Sequence, residues 1–413
     1  MNPEQLHRRS LLMGGAALAS CALAGAQPAS RKRWLEDERE DDGRNLVLIQ
    51  LTGGNDGLST VVPYADDSYH RVRPTTAIDT AKVLKLDDYR GLHPELKRLH
   101  ALFEKEQLAV VEGVGYPDQG RSHFKSLEIW HTAHPRGRVL SEGWIGRLCE
   151  AAWPDVNNSE LVVHAGSGAP FSIHSEMHPP VMIASPTSYR WFGDGRKADA
   201  WRAAGGDGMP APVGGEGATR RNVLSRLRRV LDVADASSVR VRRAAAAYQP
   251  KAEYPHETFA ASLRDIAAFI HGGLGTRVFS CELTGFDTHA KQLSRHSELM
   301  RTLDDGLGAF MEDLSMSSLG RNTVVVVFSE FGRRVAENES KGHDHGHAGP
   351  VLVLGQAVKG GLHGRHPSLE ELDEGDLTFT TDFRSVYASI IEDWFGVDSE
   401  PLLFGRYPKL ALL

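Results

Sequence analysis

The chain has 413 residues, 41% hydrophobic and 24% charged, with a net charge of −7. That is a globular profile with material for a large core, and it lacks the basic excess that a nucleic-acid partner would require. Three cysteines are too few to be the framework of the fold.

The first residues read as an export signal. His7-Arg8-Arg9-Ser10-Leu11-Leu12 opens an apolar run through Ala24 that is too short to span a bilayer. Paired arginines ahead of a weakly hydrophobic, Gly/Ala-rich stretch fit a twin-arginine signal over residues 1–26. The expected destination is the periplasm or cell envelope. Two cut sites stay open. Ala24-Gly25-Ala26 suits cleavage before Gln27, whereas Leu18-Ala19-Ser20-Cys21 resembles a lipobox that would make Cys21 a lipid anchor, the only membrane attachment expected. Residues 27–44 are charged and poor in apolar side chains, a leader rather than fold. Cys149 and Cys281 remain in the mature chain, and the apolar run around Cys281 favours a buried free thiol over a bridge.

The fold is expected to open with the buried strand Leu46–Ile49, followed by the glycine-rich turn Gly53-Gly54-Asn55-Asp56-Gly57. Apolar spacing predicts a helix over Leu96–Lys105 and a strand over Leu108–Val111. Arg121-Ser122-His123 then stands ahead of a helix, where Ser122 either caps the helix or helps a bound anion. Leu161–Val163 reads as a strand, and His164, His174 and His178 follow it without an evident role. Residues 186–250, rich in Gly, Ala, Pro and charge, read as an insertion or lid, with helical spacing over Arg220–Val233.

Beyond Pro255 the pattern tightens. A helix over Glu257–Ile270 and a strand over Thr276–Leu283 lead to Gly285-Phe286-Asp287-Thr288-His289, then to a helix over His296–Leu314. Val324–Phe328 is a β-branched run with the composition of a strand buried on both faces, and it ends in Ser329-Glu330. After a polar loop comes His343-Asp344-His345-Gly346-His347, then a second buried run, Val351–Leu354. Near the end, Asp382 is placed to cap a helix over Val386–Trp394, with Arg384 available to an anion. This alternation predicts an α/β fold, a doubly wound, mostly parallel sheet flanked by helices. Ligands of such sheets collect at the carboxyl ends of strands, where this chain puts acids and imidazoles. Carboxylates with imidazoles suit a borderline divalent ion such as zinc or manganese.

Four segments, LTGGNDGLSTVVPY, RSHFKSLEIW, GFDTHAKQ and SEFGRRVAENES with DHGHAGPVLVLG, together resemble the bacterial exported domain-of-unknown-function family 1501, and TDFRSVYASIIEDWFG fits it too. The likeness spans about residues 45–395 and implies one α/β domain over residues 45–413. That family resembles a divergent branch of the alkaline phosphatase and sulfatase clan. The resemblance implies an exported metal-dependent hydrolase of phosphate or sulfate esters, with one or two divalent ions (zinc, manganese or calcium) and an anionic ester as substrate. It matches Asp56, Asp287, Glu330 and His345 or His347 to metal ligands and Ser122 to the nucleophile; the residues around these positions add His289, Asp344 and both His345 and His347 to the expected ligands, and His123 and Arg121 as catalytic neighbours. Phe331 stands where the clan has a histidine, and Lys291 where it has another. The alternative is a non-catalytic periplasmic or lipid-anchored binding protein that retains a structural metal. An exported partner protein is a further expectation.

Overall fold

A computed structural model describes residues 43–134, 140–189 and 233–413. The export signal with Cys21, the leader up to residue 42, and residues 190–232 of the insertion lie outside the described residues. Gly43–Leu413 group as one contact unit.

The elements used below are, in chain order, β1 (Asn45–Thr52), α1 (Lys97–Glu104), β2 (Leu108–Gly115), α2 (His123–Thr132), α3 (Trp144–Ala152), β3 (Val162–His164), β4 (Val181–Met182), α4 (Thr258–His271), β5 (Val278–Thr284), α5 (Gln292–Ser315), β6 (Thr323–Phe328), β7 (Gly349–Leu354), β8 (Gly361–His363), β9 (Thr381–Asp382) and α6 (Phe383–Ser389). The strands form one sheet in the order β8-β2-β7-β6-β1-β5-β3-β4, with β9 also paired to β2. At its centre β1 runs parallel to β5 and β6, with Leu46 opposite both Val278 and Val324.

Residues of one strand feed two cores in turn. Leu46, Leu48, Val324 and Val326 pack with Trp130, Trp144 and Tyr387 on one face. Val47, Ile49, Val325 and Val327 pack with Leu263, Leu307 and Phe310 on the other. Helices α2, α3 and α6 therefore cover one side, and α1, α4 and α5 the other. Fully burying such an aliphatic side chain is worth about 1.5–3 kcal/mol. The whole β-propensity scale spans only about 1 kcal/mol, so burial decides these strands. The doubly wound, mostly parallel sheet expected from the sequence is present. Cys149 and Cys281 are buried free thiols.

One strand departs from the expectation. β7 is antiparallel to both β6 and β2. A parallel return needs a crossover of a dozen or more residues, usually a helix. Residues 329–348 contain no helix, so the chain can only come straight back. Both ends of that segment consequently lie at the carboxyl edge, beside the ends of β1, β2 and β5.

Candidate metal centre

The turn after β1 sets the floor of the site. Gly53 (φ 121°) and Gly54 (φ 81°) adopt backbone that only glycine enters freely. A Cβ on Gly53 would lie 2.5 Å from the Asp287 backbone nitrogen, and one on Gly54 would lie 2.3 Å from the Phe331 ring. This close approach brings the loops after β1, β5 and β6 together.

Glu330, fully buried at the end of β6, turns inward. Its Oε1 accepts hydrogen bonds from the Gly53 backbone N–H (2.9 Å) and from His123 Nδ1 (2.8 Å), and its Oε2 accepts one from the Ser329 hydroxyl (3.2 Å). Glu330 is thus not a ligand of the converging set but a carboxylate behind one of its imidazoles. The hydrogen bond to Glu330 raises the His123 pKa against the opposing effect of burial.

Two more imidazoles are held in the same way. His345 Nδ1 donates to the Arg121 backbone carbonyl (2.9 Å), and His289 Nδ1 faces Asp344 Oδ1 (3.1 Å). That contact, ahead of the opposing burial, holds the Asp344 pKa below its ordinary value. Because each Nδ1 faces an acceptor, each carries the proton, and each Nε2 presents a lone pair. The Nε2 atoms meet around Asp287. His345 Nε2 and His289 Nε2 each lie 3.1 Å from Asp287 Oδ1, and His123 Nε2 lies 3.9 Å from Asp287 Oδ2. His289 Nε2 and His345 Nε2 are 3.0 Å apart. Two lone pairs at that distance repel unless a cation or proton lies between them. Donor atoms of His123, Asp287 and His345 all fall within 4.8 Å of one another.

Asp287 is the only carboxylate in this convergence. Burial would raise its pKa, but the Arg333 guanidinium (2.7 Å to Oδ1) leads the opposing effects that bring it to about 2. Phe331 supplies no ligand. Its buried ring packs against those of His123 and His345, with centroids 4.8 Å from each, and so fixes their planes. A donor set of imidazole nitrogens with one carboxylate fits a borderline divalent ion such as zinc. The hydrogen-bonded Nδ1 partners are the support that metal-binding histidines require.

Other expected site residues lie elsewhere. Asp56 is fully buried against Arg73, with Oδ2–NH1 at 2.6 Å and Oδ1–NH2 at 3.1 Å, and it also accepts from Ser59 and Gln292. Burial pushes its carboxyl up, but the Arg73 charge wins and holds it far below the usual range. A carboxylate so fully paired offers nothing to an ion. His347 faces the buried Asp376 (3.3 Å), and burial lowers its pKa. Arg121 is spent on the same acid, with Nε–Oδ2 at 2.8 Å, and Arg384 on Asp382. Asp344 stands behind His289 instead of in the donor set. Ser122 is exposed and precedes α2, accepting from the Ser126 N–H through its carbonyl, and its side chain makes no capping hydrogen bond. Asp382 does cap α6.

Sequence reasoning gave His123 a catalytic role and passed over Arg333 and Asp376. For His123 the available signal was its place directly after a strand-end loop. For Arg333 it was a cation three residues past the strand-end acid.

The family described as "Protein of unknown function (DUF1501)" matches residues 202–403. No curated protein matches the chain in sequence. Among solved structures it is similar to a protein in the alkaline phosphatase superfamily from Vibrio parahaemolyticus, at 12% identity over 88% of this chain and 69% of that one, with a TM-score of 0.42. It is similar to the lipoteichoic acid synthase LtaP from Listeria monocytogenes at 10% identity, covering 88% and 75%, with a TM-score of 0.40. The C-terminal periplasmic domain of EcEptC from Escherichia coli, in complex with Zn, gives 10%, 78% and 76%, with a TM-score of 0.38.

Proposed function

We propose, from the premise that the chain belongs to the DUF1501 family, that it is an exported metal-dependent hydrolase of phosphate or sulfate esters. The observation that carries this reading is the convergence of three Nε2 lone pairs on Asp287, each imidazole fixed from behind. His123, His289, His345 and Asp287 would hold the ion. A divalent ion held there supplies Lewis acidity toward an ester oxygen. In this reading Ser122, exposed and one residue before His123, is the nucleophile. The first N–H groups of α2 would favour an anion at that end of the helix, and the buried Phe331 ring forms one wall. No described helix is long and apolar enough to cross a membrane, and export by the twin-arginine route is part of the proposal.

A second reading is favoured by one observation. Arg121 and Arg384, the cations expected to clamp a substrate anion, are both spent on carboxylates. A donor shell supplied by protein side chains is also the arrangement of a structural ion. The test is metal content and turnover of the mature protein, wild type beside His345→Ala and Asp287→Ala. Retained zinc and metal-dependent hydrolysis of an aryl phosphate or sulfate, both lost in the variants, support the hydrolase. Retained zinc without turnover of any ester supports the structural site. A wild type that holds no zinc, manganese or calcium after reconstitution overturns both.

A further inference from the structure

The number of ions the site can take follows from which donors converge on one point and from the cation that stands beside them. Asp56 is paired with Arg73 through both oxygens, Glu330 with Gly53 and His123 through Oε1, Asp344 with His289 and Asn338 through Oδ1, and Asp376 with Arg121 and His347 through Oδ2. The donor atoms that meet at one point are those of His123, His345 and Asp287, one set for one ion, with His289 Nε2 at its side, 3.0 Å from His345 Nε2 and 3.5 Å from Arg333 NH1.

Beside it stands Arg333, with its side chain fully buried. Nε donates to Gly54 O (2.7 Å) and NH1 to His343 O (2.9 Å). NH2 donates to Gly53 O, to Phe286 O (3.0 Å) and to Asp287 Oδ1 (2.7 Å). Four carbonyls and a carboxylate, with His289 Nε2 at the margin (3.5 Å from NH1), form an oxygen-rich cage of the kind a hard divalent cation takes. An arginine is charged at every working pH. Asp287 therefore lies between two positive positions, its Oδ1 on the guanidinium and its Oδ2 turned toward His123.

We infer that the centre is mononuclear, with the Arg333 guanidinium as the permanent occupant of the neighbouring cation position. The inference rests on the metal reading above. A second divalent ion at the spacing of two-metal sites, about 3.5–4 Å, would have to displace a buried guanidinium from all of its acceptors.

The experiment counts ions by native mass spectrometry and elemental analysis, after zinc, manganese or calcium loading of the full mature chain and removal of excess. One retained ion per chain is expected, in wild type and in Arg333→Lys. Two in the wild type overturn the inference and leave the metal reading intact, whereas none overturns the metal reading and the inference with it. Arg333→Met empties the cage, and its count in calcium or manganese should rise from one to two. If that variant folds and stays at one, the cage is not a cation position. If it fails to fold, the wild-type count decides alone.

Discussion

His123 shows how one carboxylate sets the behaviour of a site. Glu330 raises the His123 pKa above its ordinary value near 6.5. In the metal-free chain, a histidine with a raised folded pKa contributes stability that is fully present below about 6.5 and is lost as pH rises through the folded value. Metal binding runs the other way, because a ligand histidine must be neutral. Between pH 6 and 8 the stability advantage of wild type over His123→Gln should therefore shrink without metal, while zinc affinity rises. Urea unfolding and competition with a chromophoric chelator would measure the two. In Glu330→Gln the rise in affinity should move to lower pH, and affinity at pH 8 should fall about 10–100-fold. A zinc affinity flat from pH 6 to 8 would refute the assignment of His123 as a ligand. The sequence placed Glu330 correctly at the end of a buried strand, but its role depends on His123, 207 positions away. Asp56 misled for a similar reason. Its partner Arg73 is an unremarkable arginine in sequence, and only its burial reveals the pairing.

Among elements, the turn after β1 and the segment after β6 are held together by that pair. Arg73 also donates to the Val335 carbonyl (2.8 Å) and the Arg334 carbonyl (3.1 Å), so it ties one loop to the other. Removing one member of a buried pair strands the other charge and costs about 3–5 kcal/mol. Asp56→Ala should lose stability on that scale in urea unfolding, yet the folded fraction should keep its ion. Loss of the ion at unchanged stability would restore Asp56 as a ligand. Elements with strong periodicity were legible in the sequence. The strand expected at Val324–Phe328 is observed at Thr323–Phe328, and the helix expected at Glu257–Ile270 is observed at Thr258–His271. The expected helix over His296–Leu314 begins earlier, at Gln292, because Lys291 in the left-handed region (φ 48°) starts it directly after the ligand loop. The final helix ends at Ser389 and continues as a π-helical turn over Ile390–Trp394, a local slip that apolar spacing does not register.

At the scale of the whole molecule, the ligands come from loops after β2, β5 and β6, so an ion would link segments far apart in sequence. A ligand that binds only the folded state stabilises it by about 2.7 kcal/mol at a hundred times its dissociation constant. Zinc should accordingly raise the midpoint of thermal unfolding, and His345→Ala should abolish the rise. A midpoint indifferent to zinc in the wild type would contradict the site. The two-faced core was legible because apolar runs such as Val324–Phe328 have no polar face to give to water. The direction of β7 was not, since it depends on what the intervening loop lacks. That reversal has a consequence for the covalent chain. Residues 329–348 leave and re-enter the sheet on adjacent strands of one edge, with the exposed turn Glu339–Lys341 at the tip. A single backbone cut in that turn would leave Glu330 and Arg333 attached to β6, and His345 attached to β7. The sheet would still hold the two halves side by side, so new chain ends could be opened at the tip of the loop without detaching any ligand from its strand.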